Sequence, residues 1–322
     1  MEIKGKKILI TGGAGFIGSH LADILLDYDV DKVIIYDNFI RGTTNNIENA
    51  LKDKRVELFH VKGDITHTDE LDKALKGIDV VFHFASLCLA YCQEYPRAAL
   101  NVNITGTYNL LEACVNNKIK KIIFASSSSI YGNADYSPMD EKHPFNNKNF
   151  YGATKIAGEA LFKAFYHKYG IEYLALRFMN VYGPKQDYQG IYVAVIMKII
   201  DQLQNNLPPV INGDGSQSFD FIYVKDVCRA CILAMHSNLS DQHYNISSGI
   251  QTSVLELCKK IMQLMNKEDI KILFNPTNDT TLVTNRIGST LKALNELNFS
   301  TEVSLEQGLK EVIKWKKSQT NF

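Results

Sequence analysis

A short apolar run, Lys7–Thr11, passes straight into Gly12-Gly13-Ala14-Gly15-Phe16-Ile17-Gly18 and then an amphipathic stretch. Glycines at spacing three and three, where a strand hands over to a helix, each meet a separate steric demand. Gly12 permits the tight turn, Gly15 lets backbone approach a pyrophosphate, and Gly18 lets the helix pack on the strand. The helix start adds unpaired N–H groups and a positive dipole end, which suit an anion. Spacing alone is weak evidence; Asp37, closing the next strand about 20 residues on, strengthens it. A carboxylate there can accept both ribose hydroxyls of an adenosine and repels a 2′-phosphate, so the pattern favours NAD over NADP. Its plainer reading is a strand-end cap. Arg41 follows Asp37 rather than replacing it. Gly63-Asp64-Ile65, after the third strand, is read as an adenine contact, against the alternative of a structural Gly-Asp turn.

Through the first half, runs rich in Val, Ile, Leu and Phe alternate with longer amphipathic stretches. Strands are predicted at Lys7–Thr11, Lys32–Asp37, Arg55–Val61, Asp79–Phe84, Lys120–Ser126 and Tyr173–Phe178, with helices over Gly15–Tyr28, Leu100–Asn116 and Phe150–Tyr169. This is the pattern of an α/β fold, a doubly wound parallel (Rossmann) sheet. After about residue 178, Pro184, Pro208-Pro209 and Gly213-Asp214-Gly215 break the rhythm. We expect an NAD-binding domain over residues 1–178, to which the chain returns at about 221–246, and a smaller C-terminal substrate-binding α/β domain over 179–322.

The 322 residues carry 35 Lys+Arg against 35 Asp+Glu, and 45% hydrophobic content against 22% charged excludes disorder and argues against nucleic acid as a partner. Six cysteines without framework spacing read as free thiols of a reducing compartment. The apolar run after Lys6-Lys7 is too short for a secretion signal, and no run approaches the 18 or so residues of a membrane span. A soluble, cytoplasmic chain with no membrane partner is expected.

Tyr151 and Lys155, four apart in Tyr151-Gly152-Ala153-Thr154-Lys155, lie on one helix face. A second pair at that spacing, Tyr28 and Lys32, falls far from the strand C-terminal ends where such sheets bind ligands, and receives no role. Tyr151 differs because Ser126-Ser127-Ser128-Ser129 ends the fifth strand at that edge. A phenol with a free pKa near 10 is a poor base at neutral pH, and Lys155 with a positively charged nicotinamide could lower it. The phenolate would then take the proton of a substrate hydroxyl as its carbon gives up a hydride.

These stretches, in this order, resemble the extended short-chain dehydrogenase/reductase superfamily in its NAD-dependent sugar-nucleotide epimerase/dehydratase branch. Besides the segments above, the resemblance rests on Asp37-Asn38, His83-Phe84-Ala85, Asn103 with Gly106-Thr107, Ser126–Gly132, Arg177–Pro184 and Gly213–Asp226, and it spans nearly the whole chain. It implies that Gly12, Gly15, Phe16, Ile17, Gly18, Asp37, Asn38, Asp64, Ile65, Phe84, Ala85, Asn103, Tyr151 and Lys155 hold NAD. It also implies that Ser127 is the catalytic serine, Tyr151 the base and Lys155 the hold on the nicotinamide ribose, and that Ser127, Tyr151 and Asn180 meet the substrate. The 4,6-dehydratases of the branch resemble one another in carrying Asp and Glu after that serine, and its decarboxylases a Glu; this chain has Ser128 and Ser129. The resemblance thus implies a 4-epimerase, on a UDP-hexose or UDP-N-acetylhexosamine, dimeric through the helices at Leu100–Asn116 and Phe150–Tyr169. A dehydratase or a 3- or 5-epimerase of the same branch is the alternative, and an NAD-binding regulator without turnover a further one.

Phe219 stands where the family usually has an arginine that meets the nucleotide diphosphate. Arg177, Lys185 and Arg286 are the candidate replacements. Arg286 also falls near the position that gates C2 substituents in the family, and is otherwise a surface charge. Cys88 occupies a place where many 4-epimerases have a polar or basic residue. Cys228 and Cys231 are read as buried thiols rather than a metal site, and His83 as support for the cofactor loop.

Overall fold

The structure, a computed structural model, describes residues 2–59, 63–187, 194–276 and 285–319. Its strands are β1 (Lys7–Thr11), β2 (Lys32–Tyr36), β3 (Val56–Leu58), β4 (Val80–His83), β5 (Lys121–Ser127), β6 (Glu172–Phe178), β7 (Asn180–Tyr182), β8 (Val210–Asn212), β9 (Ser218–Tyr223), β10 (Gln242–Ile246), β11 (Gln251–Ser253), β12 (Leu273–Asn275) and β13 (Asn285–Arg286). The helices are α1 (Phe16–Leu25), α2 (Thr44–Ile47), α3 (Thr68–Ala74), α4 (Leu89–Glu94), α5 (Pro96–Ala99), α6 (Thr107–Asn116), α7 (Phe150–Tyr169), α8 (Val195–Gln204), α9 (Val224–His236), α10 (Val254–Met265), α11 (Leu291–Leu297) and α12 (Leu305–Gln319).

Seven strands form one parallel sheet in the order β10-β6-β5-β4-β1-β2-β3. Every residue of β5 is buried, as are Ile8–Thr11 of β1, which is why these strands read as unbroken apolar runs: helices cover both faces of the sheet. The order reverses at β1, where β4 lies on one side and β2 on the other, and crossovers to opposite faces open a crevice at the strand C-terminal ends. A second sheet centres on β9, which pairs with β7 and β13 in parallel and β11 antiparallel. Along the stretch expected to return to the first sheet at about 221–246, β9 lies in the small sheet, and α9 packs against α1, β5 and β6 before β10 joins β6. No helix among the described residues is long and apolar enough to cross a membrane.

Several boundaries moved. The helix expected over Leu100–Asn116 opens as a π-helical stretch, Leu100–Gly106, before α6. Its first helix ends at Leu25 rather than Tyr28, and Ser127 is the last residue of β5 rather than the first beyond it. Val61, expected to end the third strand, lies outside the described residues. The α7 helix is as expected, with Asn149 accepting from Gly152 N at its start and Gly170 left-handed (φ 74°) at its end.

The glycine turn is close-packed in unequal ways. Gly12 has φ 69°, and a Cβ there would stand 2.8 Å from Ala85 N; a Cβ on Gly18 would run into the Gly12 carbonyl oxygen. At Gly15 an added methyl would meet Gly12 O at 3.1 Å and otherwise face open space. Gly18→Ala should therefore lose about 1–3 kcal/mol in urea unfolding, while Gly15→Ala should lose roughly 0.5 kcal/mol, the ordinary difference at a helix start. Equal losses would show that helix–strand contact does not select glycine at residue 18.

Candidate active site

A cleft of about 510 Å³ opens at the topological switch, lined among others by Gly12, Gly15, Phe16, Ile17, Gly18, Asp37, Asn38, Ile65, Phe84, Ala85, Tyr151 and Lys155. Twelve positions from five separate stretches of the chain thus line one cleft. Asp37 is buried just past β2, and its carboxylate accepts from Ala14 N (2.9 Å) and Phe39 N (2.8 Å). Burial pushes its carboxyl above the ordinary value, against those backbone bonds. With a third backbone bond, from Gly15 N, the carboxylate still keeps acceptor capacity for a ribose hydroxyl. Arg41 is engaged elsewhere: its guanidinium donates to Asp187 at 3.0 Å. Arg41 is thus drawn to a carboxylate, and the acid at residue 37 keeps NAD favoured over NADP. The open side of Gly15, the helix N-terminus behind it and the buried diol acceptor all fit NAD.

Asp64 and Asn103 do not line the cleft; they brace it. Asp64 accepts from Asn38 Nδ2 and from the Thr66 amide and hydroxyl, joining the loops after β2 and β3. Asn103, in the π-helical stretch, accepts from Leu87 N at 2.7 Å and donates to Thr154 Oγ1 at 3.1 Å, which ties the loop after β4 to α7. His83 bridges Thr11 and Thr107 inside the sheet, and burial drops it to about 3, so it stays neutral. That is a structural duty.

At the other end, α7 brings Tyr151 and Lys155 against the end of β5. Lys155 is buried and donates to Ala125 O at 2.8 Å, with its Nζ 5.1 Å from the Phe124 ring centre and 5.5 Å from that of Tyr151. Burial lowers it to about 8. Tyr151 hydrogen-bonds Ser127; burial lifts the phenol to about 12, and the Ser127 bond opposes that rise. Ser128 and Ser129 are buried in a 3₁₀ turn, with Ser129 N donating to Ser127 Oγ at 3.1 Å. Cys88, half-buried, caps α4 near this group, and Cys92 is buried against Asn103.

Asn180 is half-buried, off the cleft lining, and donates to Asp220 O at 3.2 Å. Of the three cations considered for a phosphate, two have partners. Arg177 grips Glu159, and Lys185 donates to Asp23 (2.6 Å) and Asn46 O (2.7 Å). Arg286 is no surface charge: it is 7% exposed on β13, in register with Phe219 of β9, and its guanidinium makes no hydrogen bond or ion pair to another described residue. Burial alone draws it down to about 10. Cys228 and Cys231 are buried thiols in α9, and no metal-binding cluster occurs among the described residues. Sequence reasoning missed Trp315 and Gln319 of α12 and the Gln186–Asp187 stretch, which also line the cleft. No local motif marks them, since they arrive through the packing of a remote helix and loop.

The model of the NAD dependent epimerase/dehydratase family matches residues 8–247. A UDP-N-acetylglucosamine 4-epimerase from Methanobrevibacter ruminantium M1 is 36% identical with a TM-score of 0.92, covering 98% of this chain and 99% of that one. The UDP-glucose 4-epimerase of Thermotoga maritima is 30% identical with a TM-score of 0.91 over 98% of this chain and 100% of its own. A dTDP-glucose 4,6-dehydratase from Streptomyces venezuelae, solved with NAD bound, is 25% identical with a TM-score of 0.90 over 97% of each chain. Motif, cleft and whole-chain likeness agree: the chain belongs to the NAD dependent epimerase/dehydratase family.

Proposed function

We propose that this chain is a UDP-sugar 4-epimerase acting on a UDP-hexose or UDP-N-acetylhexosamine. The observation that carries the reading is the end of β5, where Ser127 bonds Tyr151 and is followed by buried Ser128 and Ser129. Elimination of water needs a proton donor and a base beside the sugar, and two buried hydroxyls offer neither at neutral pH. Two UDP-sugar 4-epimerases among the structural neighbours support it, one solved with UDP-N-acetylmuramic acid and one with UDP-glucose. NAD, held by the glycine turn, Asp37 and Lys155, supplies the hydride acceptor and donor.

Tyr151 Oη takes the proton of the sugar C4 hydroxyl and returns it once the opposite configuration has formed. Ser127 holds that oxygen by a second hydrogen bond. Lys155, charged below about pH 8, favours the phenolate that burial alone disfavours. Arg286, a buried cation whose guanidinium has no hydrogen-bond or ion-pair partner among the described residues, is the group we assign to the substrate diphosphate beside Phe219, and Asn180 to the sugar side. The same proposal divides the chain into an NAD-binding unit, residues 1–178 with the return through α9 and β10, and a substrate unit in the remainder. Exposed Leu100, Tyr108 and Tyr169 near α6 and α7 support a homodimer through those helices, and six free thiols support the cytoplasm.

Incubated without added cofactor against UDP-glucose, UDP-N-acetylglucosamine and dTDP-glucose, the purified protein should give a new chromatographic peak of unchanged mass. Loss of 18 mass units (one water, roughly) would make it a dehydratase instead. Tyr151→Phe should cut turnover at least about 10²-fold with NAD retained. Lys155→Met removes the cation that favours phenolate, so the acid limb of the kcat–pH profile should move upward by about one unit or more; an unmoved limb would remove Lys155 from that role.

A further inference from the structure

Beneath the proposed proton-transfer group lies a buried polar network that the chemistry above does not use. Tyr151, Lys155 and Glu159 follow at intervals of four on one face of α7. Each meets β5: Tyr151 bonds Ser127, Lys155 donates to Ala125 O, and Ser126 Oγ donates to Glu159. Arg177 of β6, 1% exposed, then closes on Glu159 with two parallel bonds, Nε to Oε1 at 2.9 Å and Nη2 to Oε2 at 2.7 Å. Its remaining arm donates to Tyr131 Oη (2.8 Å) and Glu141 O (3.1 Å), and Tyr131 donates in turn to Asn245 of β10.

We propose that the Glu159–Arg177 pair is the positioning device of this site, holding α7 in one register along β5 so that Tyr151 and Lys155 stand correctly against Ser127. The inference rests on the roles proposed above for those three residues. Glycines already set how closely the helix lies on the strand, since a Cβ at Gly158 would come within 2.7 Å of the Phe124 ring and one at Gly152 within 2.5 Å of Ser129 O. Closeness leaves sliding along the strand open, because apolar contact is non-directional. A bidentate guanidinium–carboxylate contact fixes two distances and a common plane. It is also anchored in β6 and Tyr131, so helix, strand and the turn after Ser127 share one reference point. Such a buried pair is a weak source of stability, which leaves geometry as its use. Misplacing a catalytic group by about 1 Å costs about 10²-fold in rate.

The charged and titratable groups facing the pair are Lys155 on α7, His243 on β10, Lys292 on α11, Glu141, and Tyr131 and Tyr173. Any pH readout must be taken with them in place.

Two variants of the full chain test the idea: Glu159→Leu with Arg177→Met, which removes both charges together, and Arg177→Lys, which keeps the charge but loses the two-point hold. Three readouts are needed: thermal unfolding, NAD⁺ affinity of cofactor-stripped protein by calorimetry, and kcat, KM and their pH profiles on whichever UDP-sugar the wild type converts. Both variants should unfold cooperatively, bind NAD⁺ about tenfold or more weakly, and lose about 10- to 10²-fold in kcat with sugar KM within about threefold. A folded double variant with wild-type NAD⁺ affinity, kcat and pH profile overturns the proposal, whatever its melting temperature. If the double variant fails to fold, Arg177→Lys decides by the same readouts. If the wild type converts no sugar, the functional reading fails while the NAD⁺ affinities still decide the positioning claim.

Discussion

A parallel sheet ends all its strands at one edge, and the chemistry of this protein hangs from that edge. Parallel pairing forces each connection over a face of the sheet, so helices bury both sides and the strands become apolar throughout. Polar residues are then pushed to the strand ends. Asp37 just beyond β2, His83 at the end of β4 and Ser127 at the end of β5 are all in such places. Reversal of strand order at β1 opens the crevice between them.

Burial then sets the electrostatics. The same exclusion of water that lifts Tyr151 to about 12 lowers Lys155 to about 8 and draws Arg286 down to about 10. Of the three, Arg286 differs from the satisfied groups around it: its Nε has no hydrogen-bond partner among the described residues, whereas Tyr151 bonds Ser127 and Lys155 donates to Ala125 O. Arg177, Glu159, Tyr131 and Asn245 complete each other's hydrogen bonds, as do Asp64, Asn38 and Thr66. A buried polar atom without a partner among the described residues is a natural place for a ligand to supply one.

The motifs that needed only nearby residues were legible. The glycine turn, Asp37 and the Tyr151/Lys155 face each depend on contacts within one strand–turn–helix unit or one helix, where spacing dictates geometry. Residues whose meaning depends on what packs over them were not. Asn103 and Asp64 belong to the right motif stretches yet brace the wall rather than line it. Trp315 reaches the cleft from near the end of the chain, and Arg41 meets Asp187 at a separation of 146 positions in the sequence.

By itself, then, the sequence determined a doubly wound α/β chain with a glycine-rich strand-to-helix turn and a helix face carrying Tyr151 and Lys155, because hydrophobic period and glycine placement act over a few residues. Tertiary structure alone separates the three cations proposed for a phosphate. Arg177 is consumed by Glu159 and Lys185 by Asp23, while Arg286 is buried beside Phe219 with no partner among the described residues. All three are the same kind of charge in one dimension. What separates them is which oppositely charged group lies within about 4 Å, and that is a property of the folded chain.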